Sequence, residues 1–167
     1  MYWNMPPDVS IHTIGHSDHT PEAFIDLLHQ HDVTRLVDVR SQPYSRWTPQ
    51  FNRETLQRDL ADSDIDYHFM GDVLGGRPPD PDLYIGDNPD YEKMGKRGAY
   101  QAGIERLIAL ARTGRVAVMC SEGEHHHCHR HMLITQTLLE RDVHVLHIQP
   151  DGATVEGERI ARQLSMF

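Results

Sequence analysis

Ile104-Glu105-Arg106-Leu107-Ile108-Ala109-Leu110-Ala111-Arg112-Thr113-Gly114-Arg115-Val116-Ala117-Val118-Met119-Cys120 decides the fold class. In its first half Ile104, Leu107, Ile108 and Ala111 recur at helical spacing, which predicts a helix over Ala99–Arg112. Gly114 marks its stop, and the apolar run from Val116 to Cys120 reads as a strand. Working outward, Ser10–Ile14, Arg35–Val39, Ile65–Phe69 and His144–Ile148 are short, partly β-branched runs of the same kind. Helical patterns lie between them. Pro21–His31 puts Phe24, Leu27 and Leu28 on one face behind a Thr20 cap and a first-turn proline. Arg53–Ala61 follows Asn52, His129–Arg141 carries Met132, Leu133 and Leu139, and a last helix is expected from Glu156, with Ile160 and Leu164 four apart. Alternation of this kind predicts a single three-layer α/β domain over residues 1–167, with a mostly parallel sheet of about five strands flanked by helices.

Composition narrows the function classes. A chain of 167 residues is one domain in size and needs neither a disulfide framework nor an obligatory metal to fold. Its net charge of −9 disfavours a nonspecific nucleic-acid coat held by phosphate neutralisation, unless the basic groups share one face. No signal peptide or membrane span is read, so the expectation is a cytoplasmic protein with reduced thiols and no membrane partner. Thirteen histidines are the unusual count, and five of them fall between His125 and His131.

In open α/β sheets ligands bind outside the carboxyl ends of the strands. Here those ends lead into Gly15-His16-Ser17, Asp38-Val39-Arg40-Ser41 and Cys120-Ser121-Glu122, and Gly75-Gly76-Arg77 follows the third strand. Residues 70–98, with six glycines and four prolines, read as a long irregular loop, a candidate lid anchored by Leu74, Tyr84, Ile85, Tyr91 and Met94 or else a cover for one sheet edge.

Taken in order, Ile11-His12-Thr13-Ile14-Gly15-His16-Ser17, then Asp38 through Arg46 with Pro49-Gln50-Phe51-Asn52, then Leu74-Gly75-Gly76-Arg77, Met119-Cys120-Ser121-Glu122, Cys128-His129-Arg130 and His147-Ile148 form an ordered set of motifs. On these the chain resembles the domain of unknown function 488 family. The resemblance implies the α/β fold and which strand ends group together. It implies no reaction, cofactor or partner, and His125 to His127 are not part of the pattern.

The chemistry must therefore be read from the residues. Cys120 ends a strand and Cys128 opens a helix, where the helix dipole and Arg130 or a protonated His129 lower a thiol pKa. The resulting thiolate is a candidate nucleophile. Arg130 and Arg40 are candidate anion clamps, and Glu122 can orient His129 or act as a general base. Tyrosine-phosphatase and sulfurtransferase loops also place a Cys between strand and helix, but their Arg follows by six residues, whereas Arg130 lies ten after Cys120 and two after Cys128. A competing reading is a metal site drawn from Cys120, Cys128, His125, His126, His127, His129 and His131, centred on Cys120, Cys128, His125 and His127. The plainest reading makes both cysteines packing residues.

His16 is an acid or base candidate, or else a hydrogen-bonded turn residue. Asp38 and Arg40 project to one side, either as a candidate catalytic carboxylate with an anion-binding arginine or as residues that fix the loop, the second reading being favoured for Asp38 and not for Arg40. Between Val39 and Arg53 no acidic residue occurs, while Arg40, Arg46 and Arg53 alternate with Tyr44, Trp47 and Phe51. That mixture suits a nucleotide or nucleic acid end, with Ser17, Ser41, Ser45, Gly76 and Arg77 as further ligand-binding candidates, although such a loop can equally pack its aromatics on the body. The leading expectation is a thiol, His and Arg site acting on an anionic, phosphate-bearing small molecule or nucleic acid end. The alternatives are a non-catalytic nucleotide or nucleic-acid-binding domain and a Cys/His metal protein. Cofactor and oligomeric state are left open.

Overall fold

Five of the expected strands are present in a computed structural model that describes residues 9–161: β1 (Ser10–Gly15), β2 (Arg35–Asp38), β3 (Asp66–Phe69), β6 (Val116–Cys120) and β7 (His144–Ile148). With β8 (Thr154–Glu156) they form a six-stranded sheet in the order β3-β2-β6-β1-β7-β8. All neighbours are parallel except β8, which runs antiparallel on β7. The sixth strand falls where the last helix was expected to begin. Its three residues are exposed, so no core-directed alternation marks it. Residues 157–161 are not helical, and the remainder of the expected helix lies outside the described residues.

Helices cover both faces. On one face α1 (Pro21–Gln30) and α2 (Arg53–Ala61) bury Phe24, Leu28, Leu56 and Leu60 against Ile14, Leu36, Ala117 and Met119. Thr20 accepts the Ala23 N–H at 3.1 Å and Pro21 begins α1, as the sequence implied. Asn52 does not cap α2 with its side chain; its Oδ1 accepts from the Ser45 N–H at 2.7 Å and closes the loop before the helix. On the other face α5 (Gly98–Thr113) sets Ile104 and Leu107 against Ile11, Val37, Val116 and Val118. The segment after β6 is a π-helical turn (Arg130–Thr135) running into α6 (Gln136–Glu140), a wider path than the plain α-helix expected. The Thr135 hydroxyl donates to the Arg130 carbonyl and the Gln136 amide to that of His131, each five residues back, which satisfies the widened turn.

Residues 70–98 contain short elements, α3 (Gly71–Leu74), a 3-10 turn (Pro81–Leu83), the two-residue pair β4 (Tyr84–Ile85) and β5 (Asn88–Pro89), and α4 (Tyr91–Gly95). Leu74 and Met94 are buried, but Ile85 is 69% exposed and the buried residue there is Leu83. No helix among the described residues is long and apolar enough to cross a membrane.

Strand order sets the position of the site. From β2 the chain crosses to β3 by way of α2 on one face, whereas from the neighbouring β6 it crosses to β7 by way of α6 on the other. Adjacent strands whose connections part to opposite faces leave a crevice at their carboxyl ends.

Candidate functional site

A cleft of about 500 Å³ opens at the carboxyl ends of β2 and β6. Its lining includes Arg40, Ser41 and Gln42 after β2, Cys120, Ser121 and Glu122 after β6, His127, Cys128 and His129 before the π-turn, and Gly76, Arg77, Asn88, Pro89 and Tyr91 from the 70–98 segment. Two glycines permit this convergence. A Cβ on Gly15 would lie 1.6 Å from the Glu122 carbonyl oxygen, and one on Gly76 would lie 2.7 Å from the His129 ring, so each holds a close approach that a side chain would block.

The two thiols meet in this cleft. Cys128 Sγ donates to Cys120 Sγ at 2.9 Å, and both cysteines are free and buried. Burial opposes ionisation of Cys120, but the Cys128 hydrogen bond, the Arg130 guanidinium and a backbone contact at Glu122 outweigh it, and the thiol pKa is lowered. The bond to Cys120 and burial push the Cys128 thiol up. When the pair ionises, the negative charge therefore falls on Cys120 and the remaining proton stays on Cys128. Arg130 supplies the physical need for that charge. Its side chain is fully buried, Nη2 donates to the Gly123 carbonyl at 3.0 Å, Nε and Nη1 have no partner, and no carboxylate among the described residues pairs with it. A buried guanidinium without a counter-charge is costly, and the Cys120 thiolate offsets it.

Arg40 lines the same cleft as the thiols. Its Nε and Nη2 donate to the two oxygens of Asp38 at 2.9 and 2.8 Å, and Tyr67 donates to Asp38 Oδ2 at 2.6 Å. Asp38 is fully buried with both oxygens engaged, so it fixes Arg40 and does not face the cleft as a catalytic carboxylate. His16 is also behind the cleft wall. Its Nδ1–H donates to the Ser17 carbonyl at 2.8 Å, its Nε2 meets Arg40 Nη1 at 3.3 Å, and its ring stacks on Phe51. Burial, with Arg40 beside it, lowers its pKa to about 4, and the neutral ring positions Arg40. His129 Nε2–H donates to the Val39 carbonyl at 3.2 Å and turns Nδ1 toward Cys128 Sγ at 3.7 Å; Val39, not Glu122, orients it.

Several sequence candidates lie elsewhere. Ser17 reaches Asp18, Ser45 caps the Trp47 and Thr48 N–H groups, Arg46 stands over the Trp47 ring at 4.9 Å and Arg53 over Phe69 at 4.3 Å. None of these four lines the cleft. Ser41 lines it and accepts from the Arg77 N–H at 2.8 Å. The metal set Cys120, Cys128, His125 and His127 is not assembled: His125 turns away to meet His131 and His147, and His127 faces the cleft. Tyr91, expected only as an anchor, is a cleft residue, with its phenol pKa raised by burial and by Cys128. Asn88 and Ser121 also line the cleft without having been singled out; only their places beside Tyr91 and Cys120 could have signalled it.

No curated protein and no solved structure matches the chain. The family described as domain of unknown function DUF488 matches residues 20–136, a stretch that holds Arg40, Arg77, both cysteines and Arg130 and leaves the Ile11–Ser17 and His147–Ile148 segments outside it. The chain belongs to the DUF488 family.

Proposed function

We propose that this protein is a thiol-dependent enzyme acting on an anionic, phosphate-bearing substrate, a nucleotide or the end of a nucleic acid. The observation that carries the reading is the Cys120–Cys128 pair, 2.9 Å apart in a cleft that also receives Arg40 and Arg77. The arginines hold phosphoryl oxygens, and Cys120 as thiolate is the nucleophile. In the first step the S–P bond forms as the P–O bond to the leaving group breaks, and protonated Glu122 gives its proton to the leaving oxygen. In the second, water attacks phosphorus and gives a proton to the Glu122 carboxylate, the S–P bond breaks, its electron pair returns to Cys120 and phosphate departs. Free thiols fit a reducing compartment, and the cytoplasm is the assignment proposed.

The test uses an aryl phosphate and a 5′-nucleotide as probes with the full chain. Expected are phosphate release that inorganic phosphate inhibits, a phosphocysteine on Cys120 by mass spectrometry, and a loss of about a thousandfold or more in Cys120→Ser. Full turnover in Cys120→Ser overturns the thiol mechanism.

A second reading, non-catalytic nucleic-acid binding, draws on Trp47, which is 80% exposed with Arg46 over its ring, and on exposed Tyr44. It predicts binding of a single-stranded oligonucleotide that weakens with salt and is lost in Trp47→Ala, with the cysteines dispensable.

A further inference from the structure

We propose that His125, His131 and His147 form a binding site for a divalent transition metal of the zinc class, separate from the thiol cleft. The three come from different parts of the fold: the loop after β6, the π-turn and β7. All are buried, and one ring nitrogen of each lies within 4.8 Å of the others. Ligands of a tetrahedral ion at about 2.0–2.1 Å stand roughly 3.3 Å apart, so closing the set on an ion requires His125 and His147, stacked with their planes 16° apart, to turn their rings until the in-plane lone pairs converge.

Two observations point to a ligand. His147 Nε2 and His131 Nδ1 are buried and have no hydrogen-bond partner, although fewer than one-tenth of either residue is exposed. Buried polar atoms of this kind are destabilising unless something satisfies them. The second is the support around the rings. Thr13, the register partner of His147 on β1, meets His147 Nδ1 at 2.5 Å, which leaves the Nε2 lone pair free. Gln149 reaches His125 Nδ1 at 3.3 Å, and His125 stacks on His147 with ring centroids 3.9 Å apart. The π-turn adds the third ring, since its width lets the consecutive residues Arg130 and His131 both turn inward.

Electrostatics agree in part. Burial, the neighbouring rings and Arg130 lower the histidine pKa values, to about 4 for His125 and about 3 for His147, and the neutral ring is the form that ligates. Arg130 opposes a cation, while Glu124, 3.8 Å from His125 Nδ1, favours it. Imidazole nitrogens with an open position and no thiolate select zinc, cobalt or nickel over calcium or magnesium. Bound there, the ion would tie the 121–129 loop to β7 and stiffen the wall that presents Glu122 and Cys128.

The test is titration of the metal-stripped full chain with Co²⁺ and Zn²⁺. Expected are one ion per chain, a visible Co²⁺ spectrum of tetrahedral or five-coordinate type, and a raised Tm. His131→Gln and His147→Gln should each bind at least about tenfold more weakly, and Thr13→Val about tenfold more weakly with the ligands intact. His125→Gln, in a loop, serves if the sheet variant fails to fold. Cys120→Ser/Cys128→Ser should bind as the parent does. Absence of one-to-one binding, or binding that survives the histidine changes and vanishes with the cysteines, overturns the site.

Discussion

The loop from Ser121 to His129 has a different chemical environment on each side. Toward the carboxyl ends of β2 and β6 it faces an open cleft with two thiols and two arginines, suited to an anion. Toward β7 lie three buried neutral histidines, two of them with an unsatisfied nitrogen, suited to a cation. Arg130 stands between them, lowering the Cys120 thiol on one side and the His125 and His147 imidazoles on the other. One buried charge therefore promotes ionisation of an acid and opposes protonation of bases, and the difference between the two sides lies in which residue types the strands present to it.

Acid should have the largest effect, acting on the cleft side through His16 and on the other through His125 and His147. His12, His16 and His125 titrate near 4 and His147 near 3 in the fold, against 6.5 unperturbed. Because the folded values are depressed, the unfolded chain binds more protons in this window, and stability complete above pH 6.5 declines as the pH falls toward 4. At pH 5 each such histidine contributes a loss of up to about 2 kcal/mol relative to pH 7, measurable as a lowered urea midpoint. Saturating Zn²⁺ at pH 7 should add stability only while the histidine trio is intact.

Asp38→Asn acts on the cleft side alone. Removing one partner of a buried ion pair should cost about 3–5 kcal/mol in urea unfolding and weaken phosphate binding, while Co²⁺ binding by the folded fraction is retained. Arg130→Met should move the two sides oppositely, raising the Cys120 thiol pKa and strengthening Co²⁺ binding, each by about tenfold in the corresponding equilibrium, with little loss of stability because the guanidinium goes and Cys120, without it, stays a neutral thiol. Equal weakening of both sides would show that Arg130 only packs. Trp47→Ala, on an exposed ring far from either set, should change stability by less than about 0.5 kcal/mol.

Much of the fold was legible from period and punctuation. The Ile104–Ala111 stripe and the Val116–Cys120 run fixed the alternation, and Thr20-Pro21 fixed a helix start, because those signals are local. β8 was not legible because three exposed residues pair only after β7 is in place. The strand-end rule brought Cys120, Arg40, Glu122, Gly76 and Arg77 to one cleft, since parallel strands gather their carboxyl ends. It overreached for Ser17, Ser45 and Arg46, which follow strand ends in sequence but spend their hydrogen bonds or rings locally. His147 stood out only as part of the His147-Ile148 motif, which carries no sign of a ligand. A histidine in an apolar strand reads as core, and only the β1–β7 register and the π-turn bring it to His125 and His131.

On ionisation of the thiol pair the charge should fall on Cys120 and be held there by Arg130. A pH titration of the protein labelled with ¹³C at cysteine Cβ reads it directly by NMR, without requiring a reagent to reach the buried sulfurs. Cys120 should ionise below the unperturbed thiol value of 9.0 while Cys128 stays protonated well above it. Two thiols both protonated through pH 9, or ionisation of Cys128 first, would contradict it.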